Sequence, residues 1–234
     1  MKARLISYSK LSDEIELDTD DPSMLDIVAF CARVSNPGNQ ANTKTSEKLV
    51  KYLVKHKHWS PLEMVNACIE IETTRDIARQ MLRHRSFSFQ EYSQRYADPT
   101  KDLSFVLREA RLQDAKNRQN SIILDGDDAS AQALRNEWMT RQQEVIDSAR
   151  SAYAWATANG IAKEQARAVL PEGNTISRVC MNGTLRSWVH YIDLRAGEET
   201  QLEHREIAQV CADVIYQIFP MDILDLEKND DING

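Results

Sequence analysis

The chain is predicted to fold as an α+β protein: one compact domain in which a sheet is flanked by several helices, including one long helix. Three observations carry that prediction. MVNACIEIETT (64–74) and NTISRVCMN (174–182) alternate apolar and polar residues with the period of a half-buried strand. Residues from about 130 to 158 and from 200 to 218 instead repeat their apolar positions at helical spacing. With 234 residues and 42% hydrophobic content, the chain is long enough and apolar enough to bury one core. Residues 1–220 are assigned to the domain and 221–234 to an acidic tail that frays.

The elements follow in order. ARLISYS (3–9) reads as a strand, and PSMLDIVAFCARVS (22–35) as a helix with Leu25, Val28, Ala29 and Ala32 on one face. A second helix over 43–57 carries Leu49, Val50, Leu53 and Val54 and stops before HWSP, because the position ahead of Pro61 disfavours helical backbone. In the strand that follows, Val65, Ala67, Ile69 and Ile71 form the inner row, which leaves Cys68 on the polar face. Thr74 is placed to cap a short helix, RDIARQMLRH (75–84), with its hydroxyl. Residues 98–129 read as a variable, partly helical excursion. The long helix from about 130 has Leu134, Trp138, Val145, Ile146, Ala149 and Tyr153 as its stripe and Gly160 near its end. Residues 163–170 are helical up to Pro171, the second alternating strand follows, and further helices span about 184–195 and 200–218. In the last of these Ile207, Val210, Cys211, Val214, Ile215 and Ile218 mark the core side, so Cys211 is read as a core residue.

Composition narrows the function. A net charge of -7 argues against a general polyanion binder, because non-specific nucleic-acid affinity needs a basic surface. The N-terminus has no secretory h-region and no apolar run approaches a membrane span, so a soluble, cytoplasmic protein is expected. The four cysteines are widely spaced, with no CxxC pair, and read as reduced thiols. His56 and His58 lack the i, i+4 spacing that would aim two imidazoles at one ion, and no metal site is expected.

Against that acidic background, RHRSFSFQEYSQRY (83–96) concentrates Arg83, Arg85 and Arg95. If 91–95 is extended, Glu91, Ser93 and Arg95 form one row, and Gln80, Arg83 and His84 share a face of the preceding helix that empties into it. Guanidinium forks match phosphate oxygens, and amides or carboxylates read base edges or ribose hydroxyls, so the row suits a nucleoside monophosphate. Two other readings exist: a solvated face, or an ion-pair network in which Glu91 and Asp98 neutralise the arginines. Ser93 lacks a G-x-S-x-G elbow and an identifiable base, so it is read as a phosphate-binding hydroxyl and not a nucleophile. A nucleic-acid-binding module is the alternative function, with the arginines on backbone phosphates and Phe87, Phe89, Tyr92 and Tyr96 stacking bases.

Arg83-His84-Arg85, seven residues, then Ser93 resembles the R-H-R-x7-S signature of the flavin-dependent thymidylate synthases. HWSPLE (58–63), ARAVLP (166–171) and LRSWVHYIDLR (185–195) resemble other segments of that family, in the same order. The resemblance implies reductive methylation of dUMP to dTMP. Methylenetetrahydrofolate would donate the carbon and NADPH the reducing equivalents through bound FAD, with no cysteine nucleophile. With seven glycines and no G-x-G-x-x-G run, the chain has no Rossmann fingerprint and must hold a flavin by other means. The resemblance further implies a homotetramer with active sites shared between subunits; charge and hydropathy, as above, give the expectation of no nucleic-acid or membrane partner.

It also implies roles. Gln80, Arg83, Glu91, Ser93, Arg95 and Arg167 resemble the dUMP-binding set, with Ser93 and Arg95 at the phosphate. Ser60, Arg83, His84, Arg85, Glu91, Thr184, Arg186 and His190 resemble the FAD-contacting set. His190 has a second reading, as an imidazole on the inner face of a helix beside Trp188 and Tyr191. Arg195 resembles the family's activating arginine, a further dUMP contact that would stabilise negative charge on the uracil. Its competing reading is an ion pair with Asp193, Glu198 or Glu199.

Overall fold

The computed structural model describes residues 1–124, 126 and 128–220. Strand β1 (Lys2–Tyr8) is followed by α1 (Met24–Ala32) and α2 (Ser46–Lys55), then a 3-10 turn, Ser60–Met64, leads into β2 (Asn66–Thr74). Next come α3 (Arg75–Met81), β3 (Phe87–Glu91), the short α4 (Pro99–Asp102) and a hairpin of β4 (Arg111–Gln113) and β5 (Ser121–Ile123). The long helix α5 (Ala129–Ala158), α6 (Lys163–Ala166), β6 (Ile176–Thr184), α7 (Leu185–Ala196) and α8 (Leu202–Tyr216) complete the chain. The main sheet runs β1-β2-β6-β3, with every neighbouring pair antiparallel.

Alternation decides which face of the sheet is inside. Ala67, Ile69 and Ile71 of β2 lie opposite Gly183, Met181 and Val179 of β6, and these inward positions are buried. Trp188 and Tyr191 of α7, Ile207, Cys211 and Ile215 of α8 and Val28 of α1 cover them in one core. The Trp188 indole N–H donates to the Ala67 carbonyl at 3.0 Å, which seats α7 across the centre of the sheet. Gly183 is required there, since a Cβ would come within 2.4 Å of the Phe87 ring on the neighbouring strand. The outer face is polar, with Arg4 and Glu70 paired at 2.8 Å and Cys68 half-buried among such residues.

Most boundaries agree with the sequence reading, and four points depart from it. Residues 98–129 are partly helical as expected, through α4, but they also contain a hairpin that the sequence does not reveal; its strands are three residues each, too short for alternation to show them. The Thr74 hydroxyl does not cap α3, because it donates to Asp76 at 2.6 Å and accepts from Arg108 at 2.7 Å. Helix α3 ends at Met81, so Arg83 and His84 lie in the turn beyond it. On α5, Ile146, Ala149 and Tyr153 are buried, but Leu134, Trp138 and Val145 of the expected stripe are exposed, as are Met139 and Trp155. That helix has its N-cap from Asp128 and ends at Gly160, whose φ of 80° lets Ile161 N–H reach back to the Ala156 carbonyl at 2.9 Å. The acidic tail assigned to 221–234 lies outside the described residues.

Candidate active site

Helix α7 organises the candidate site, since the expected residues gather at its two ends, about 16 Å apart at 1.5 Å per residue. At its start, Thr184 is the N-cap and accepts from Ser187 N–H at 3.2 Å, while its own hydroxyl donates to Glu63 at 3.0 Å. Arg186 pairs with the same carboxylate at 2.6 Å. Glu63 belongs to the Ser60–Met64 turn, so this clamp brings exposed Ser60 beside the start of α7. His190 is exposed, with its ring edge-on to Trp59 at 4.8 Å between centroids, and not on the inner face of the helix.

At the far end, Arg195 donates from Nε to Nε2 of His84 at 3.0 Å. Among the described residues no carboxylate pairs with Arg195, so the expected competitor ion pair is absent there, and its terminal nitrogens have no partner. Burial, then the Arg195 and Arg83 charges, push His84 down to about 4 and keep the ring neutral. Its edge meets the Tyr191 ring at 5.0 Å. Gln80, one turn back on α3, donates to Gln201 at 2.8 Å and meets His204 at 3.1 Å. Tertiary structure therefore joins Gln80, His84 and Arg195, which are far apart in sequence, through Tyr191, Gln201 and His204.

The row expected at 91–95 does not form. Strand β3 ends at Glu91, and the Tyr96 and Ala97 N–H groups both turn back to the Ser93 carbonyl at 3.1 Å. Glu91 does not neutralise the signature arginines either. It accepts from Arg75 at 3.3 Å, Arg79 at 3.2 Å and Ser177 at 2.9 Å, because the end of β3 lies against α3 and β6. Asp98 is occupied in capping α4. Arg83, Arg85 and Arg95 are thus exposed, with no side-chain hydrogen bond or ion pair among the described residues. Lys163 donates to the Tyr96 carbonyl at 2.9 Å, tying the Ser93 turn to the start of α6, where half-buried Arg167 follows one turn on. Arg167 Nε donates to the Glu164 carbonyl at 3.3 Å.

Of the four rings proposed for base stacking, Phe87 is in the core, Phe89 is half-buried against it, and the Tyr92 hydroxyl donates to Asp102 at 2.8 Å. Tyr96 alone of the four is exposed. Among the described residues no cluster of three His, Cys, Asp or Glu side chains could hold a metal ion, and no helix is long and apolar enough to cross a membrane.

A family model described as thymidylate synthase complementing protein matches residues 17–221. The chain is 45% identical over 221 residues to a flavin-dependent thymidylate synthase from Synechocystis, covering 94% of this chain and 96% of the relative. The chain belongs to the flavin-dependent thymidylate synthase family. A probable flavin-dependent thymidylate synthase from Paramecium bursaria Chlorella virus 1 is 42% identical over 220 residues, with the same coverage. A crystal structure of a UMP/dUMP methylase, PolB, from Streptomyces cacaoi bound with 5-Br dUMP superposes with a TM-score of 0.73, covering 95% of this chain and 92% of that one. At 22% identity it supports the shared fold. Glu63, Tyr191, Gln201 and His204 contact residues of the candidate site, and the sequence reading gave them no role in it. For His204 a signal existed: it extends the core stripe of α8 one turn back from Ile207 and Cys211, where an imidazole needs a reason.

Proposed function

We propose that this chain binds dUMP and FAD and converts dUMP to dTMP, with methylenetetrahydrofolate as carbon donor and NADPH as reductant. The observation that carries the reading is the R-H-R-x7-S segment, which holds Arg83, Arg85 and Arg95 exposed and, among the described residues, without acidic partners in a chain of net charge -7. Unpaired guanidiniums are the donor set that a monophosphate and a dinucleotide's phosphates require, so the residues present fit both ligands.

Arg95, Arg167 and the Ser93 hydroxyl would bind the dUMP phosphate, with Gln80, Arg83 and Glu91 completing the nucleotide contacts. Ser60, Arg83, His84, Arg85, Glu91, Thr184, Arg186 and His190 would hold FAD, which when bound supplies the redox step between NADPH and the transferred carbon. Arg195 would act as the catalytic cation. His84 holds its Nε, which leaves the terminal nitrogens to face the pyrimidine and stabilise charge developing there. All four thiols are free; Cys211 is buried in the core, and burial followed by Cys180 raises the Cys68 thiol, so neither is poised as a nucleophile.

We infer a homotetramer with shared sites, in which Arg83 and Arg167 reach one site from different subunits. The exposed apolar residues of α5 support it, because two exposed tryptophans, Trp138 and Trp155, on one helix are unusual on a free surface. The reading is tested by release of flavin from denatured yellow protein and of tritium from 5-labelled dUMP in the presence of both co-substrates. Colourless protein with salt-sensitive affinity for oligonucleotides overturns it in favour of a nucleic-acid module.

A further inference from the structure

We propose that His204 is a positioning residue that locks the amide of Gln80, so that Gln80 offers an N–H to the pyrimidine and thereby favours a uracil carbonyl edge over a cytosine amino edge. The inference rests on the reading of Gln80 as a nucleotide contact.

The lock follows from a chain of hydrogen bonds with one self-consistent polarity. It starts at Glu203, which pairs with Arg111 and, at 3.6 Å, with Arg108. Burial pulls this carboxyl up, but its own backbone N–H, Gln201 and the two arginines outweigh that and leave it below its ordinary value. An ionised carboxylate only accepts, so Gln201 gives it Nε2–H, at 2.9 Å, and must turn Oε1 toward Gln80. Gln80 answers with Nε2–H at 2.8 Å, which points its Oε1 at His204 Nδ1, 3.1 Å away. Nδ1 must therefore carry the ring proton. The bare Nε2 then accepts the Tyr191 hydroxyl at 3.2 Å. Flipping the Gln80 amide would set two carbonyl oxygens against each other at Gln201 and, in the Nδ1–H tautomer, two N–H donors against each other at His204.

His204 is fully buried, and burial, then the Arg195 charge and, once it is protonated in acid, His84, push it down to about 3, so the ring stays neutral with one donor and one acceptor. Its place on α8, one turn before Ile207, would be filled as well by an apolar side chain if packing were its only task. With Gln201 using one proton of the Gln80 amide, the second is left for a ligand carbonyl. A cytosine amino group brought to that proton would put donor against donor and leave both unpaired.

The test uses the full-length, flavin-loaded protein and measures dUMP and dCMP binding by calorimetry, together with the ring nitrogens of 15N-histidine-labelled protein by NMR. Wild type is expected to show His204 with Nδ1 protonated and Nε2 bare, and to prefer dUMP. His204→Leu is expected to weaken dUMP binding about 10-fold while dCMP changes little, shrinking the preference. His204→Asn, whose amide N–H replaces Nδ1–H, should restore dUMP binding to within about threefold of wild type. Gln201→Leu removes the acceptor that holds the Gln80 amide, lets the amide and the His204 ring reverse together, and should erode the preference. An Nε2-protonated His204 in wild type overturns the lock, as does an unchanged dUMP-to-dCMP preference in folded His204→Leu. If His204→Leu does not fold, the tautomer and Gln201→Leu decide. Failure of wild type to bind dUMP sinks the proposed function, and the tautomer measurement still decides the lock.

Discussion

The Arg195 Nε–H and the His84 Nε2 lone pair meet at 3.0 Å, joining the last turn of α7 to the loop after α3. The bond requires a neutral His84 carrying its proton on Nδ1, which is the state that burial and the surrounding cations favour. It also pins a long side chain at its Nε and leaves the end of the guanidinium without a partner among the described residues.

If Arg195 stabilises charge on the pyrimidine, Arg195→Ala should slow methyl transfer by roughly 100-fold or more, while NADPH oxidation suffers far less. Stopped-flow measurement of the two half-reactions separates them. Arg195→Lys should rescue only partly, since an ammonium keeps the charge and loses the Nε–H that His84 accepts. Near-normal dTMP formation in Arg195→Ala would sink the catalytic assignment.

Ser93 heads a tight turn, and among the described residues its Oγ makes only a long contact, 3.4 Å, from Arg95 N–H. Its proton is therefore available to a phosphate. Ser93→Ala should weaken dUMP binding by about 1–3 kcal/mol and leave measurable turnover. A covalent adduct at Ser93, or turnover abolished with dUMP still bound, would revive it as a nucleophile.

Stability should depend on pH through the two neutral histidines. Folding holds His84 at about 4 and His204 at about 3, below the ordinary value of 6.5, so the unfolded chain takes up protons that the folded chain refuses. Their neutral states therefore favour the fold fully above pH 6.5, and stability falls as pH drops from there toward the folded values. Between pH 6.5 and 5, wild type should lose up to about 2 kcal/mol more than His204→Asn. Parallel denaturation curves for the two proteins would refute this.

Gly183 faces Phe87 across β6 and β3 with no room for a methyl group. Gly183→Ala should lower stability by about 1–3 kcal/mol, seen as a lower Tm, because the ring belongs to the core and cannot swing away freely. An unchanged Tm would show that β3 moves to accommodate it.

The exposed stripe on α5 should be an interface. Sedimentation of wild type is expected to give about four chains, and Trp138→Glu should shift the distribution toward smaller species. Mixing inactive Arg83→Ala and Arg167→Ala proteins should restore some activity if the two residues reach one site from different subunits. A monodisperse, active wild-type monomer would remove the shared site.

Legibility differed element by element. The alternation in 64–74 and the stripe of α8 were plain because burial on one face dictates a period, and period is a local property. Trp138 and Leu134 were misplaced for a related reason: periodicity shows that a face is apolar, but not what covers it, and on α5 nothing in the described chain does. The β4–β5 hairpin fell below the length at which a period can be counted.

Local pattern was enough for the α+β character, the central strands and the helix that carries Arg195, and the order of four motifs was enough for the family. Which groups pair with which was settled by the packing. Arg75 and Arg79, not Arg83 and Arg95, claimed Glu91, and His84 claimed Arg195 in place of the carboxylates near it in sequence. His204 was drawn from an apolar stripe into contact with Gln80. A hydrogen bond is decided within about 3 Å, whereas the partners of His84 and Gln80 lie 111 to 124 residues away along the chain and meet them only once the chain has folded.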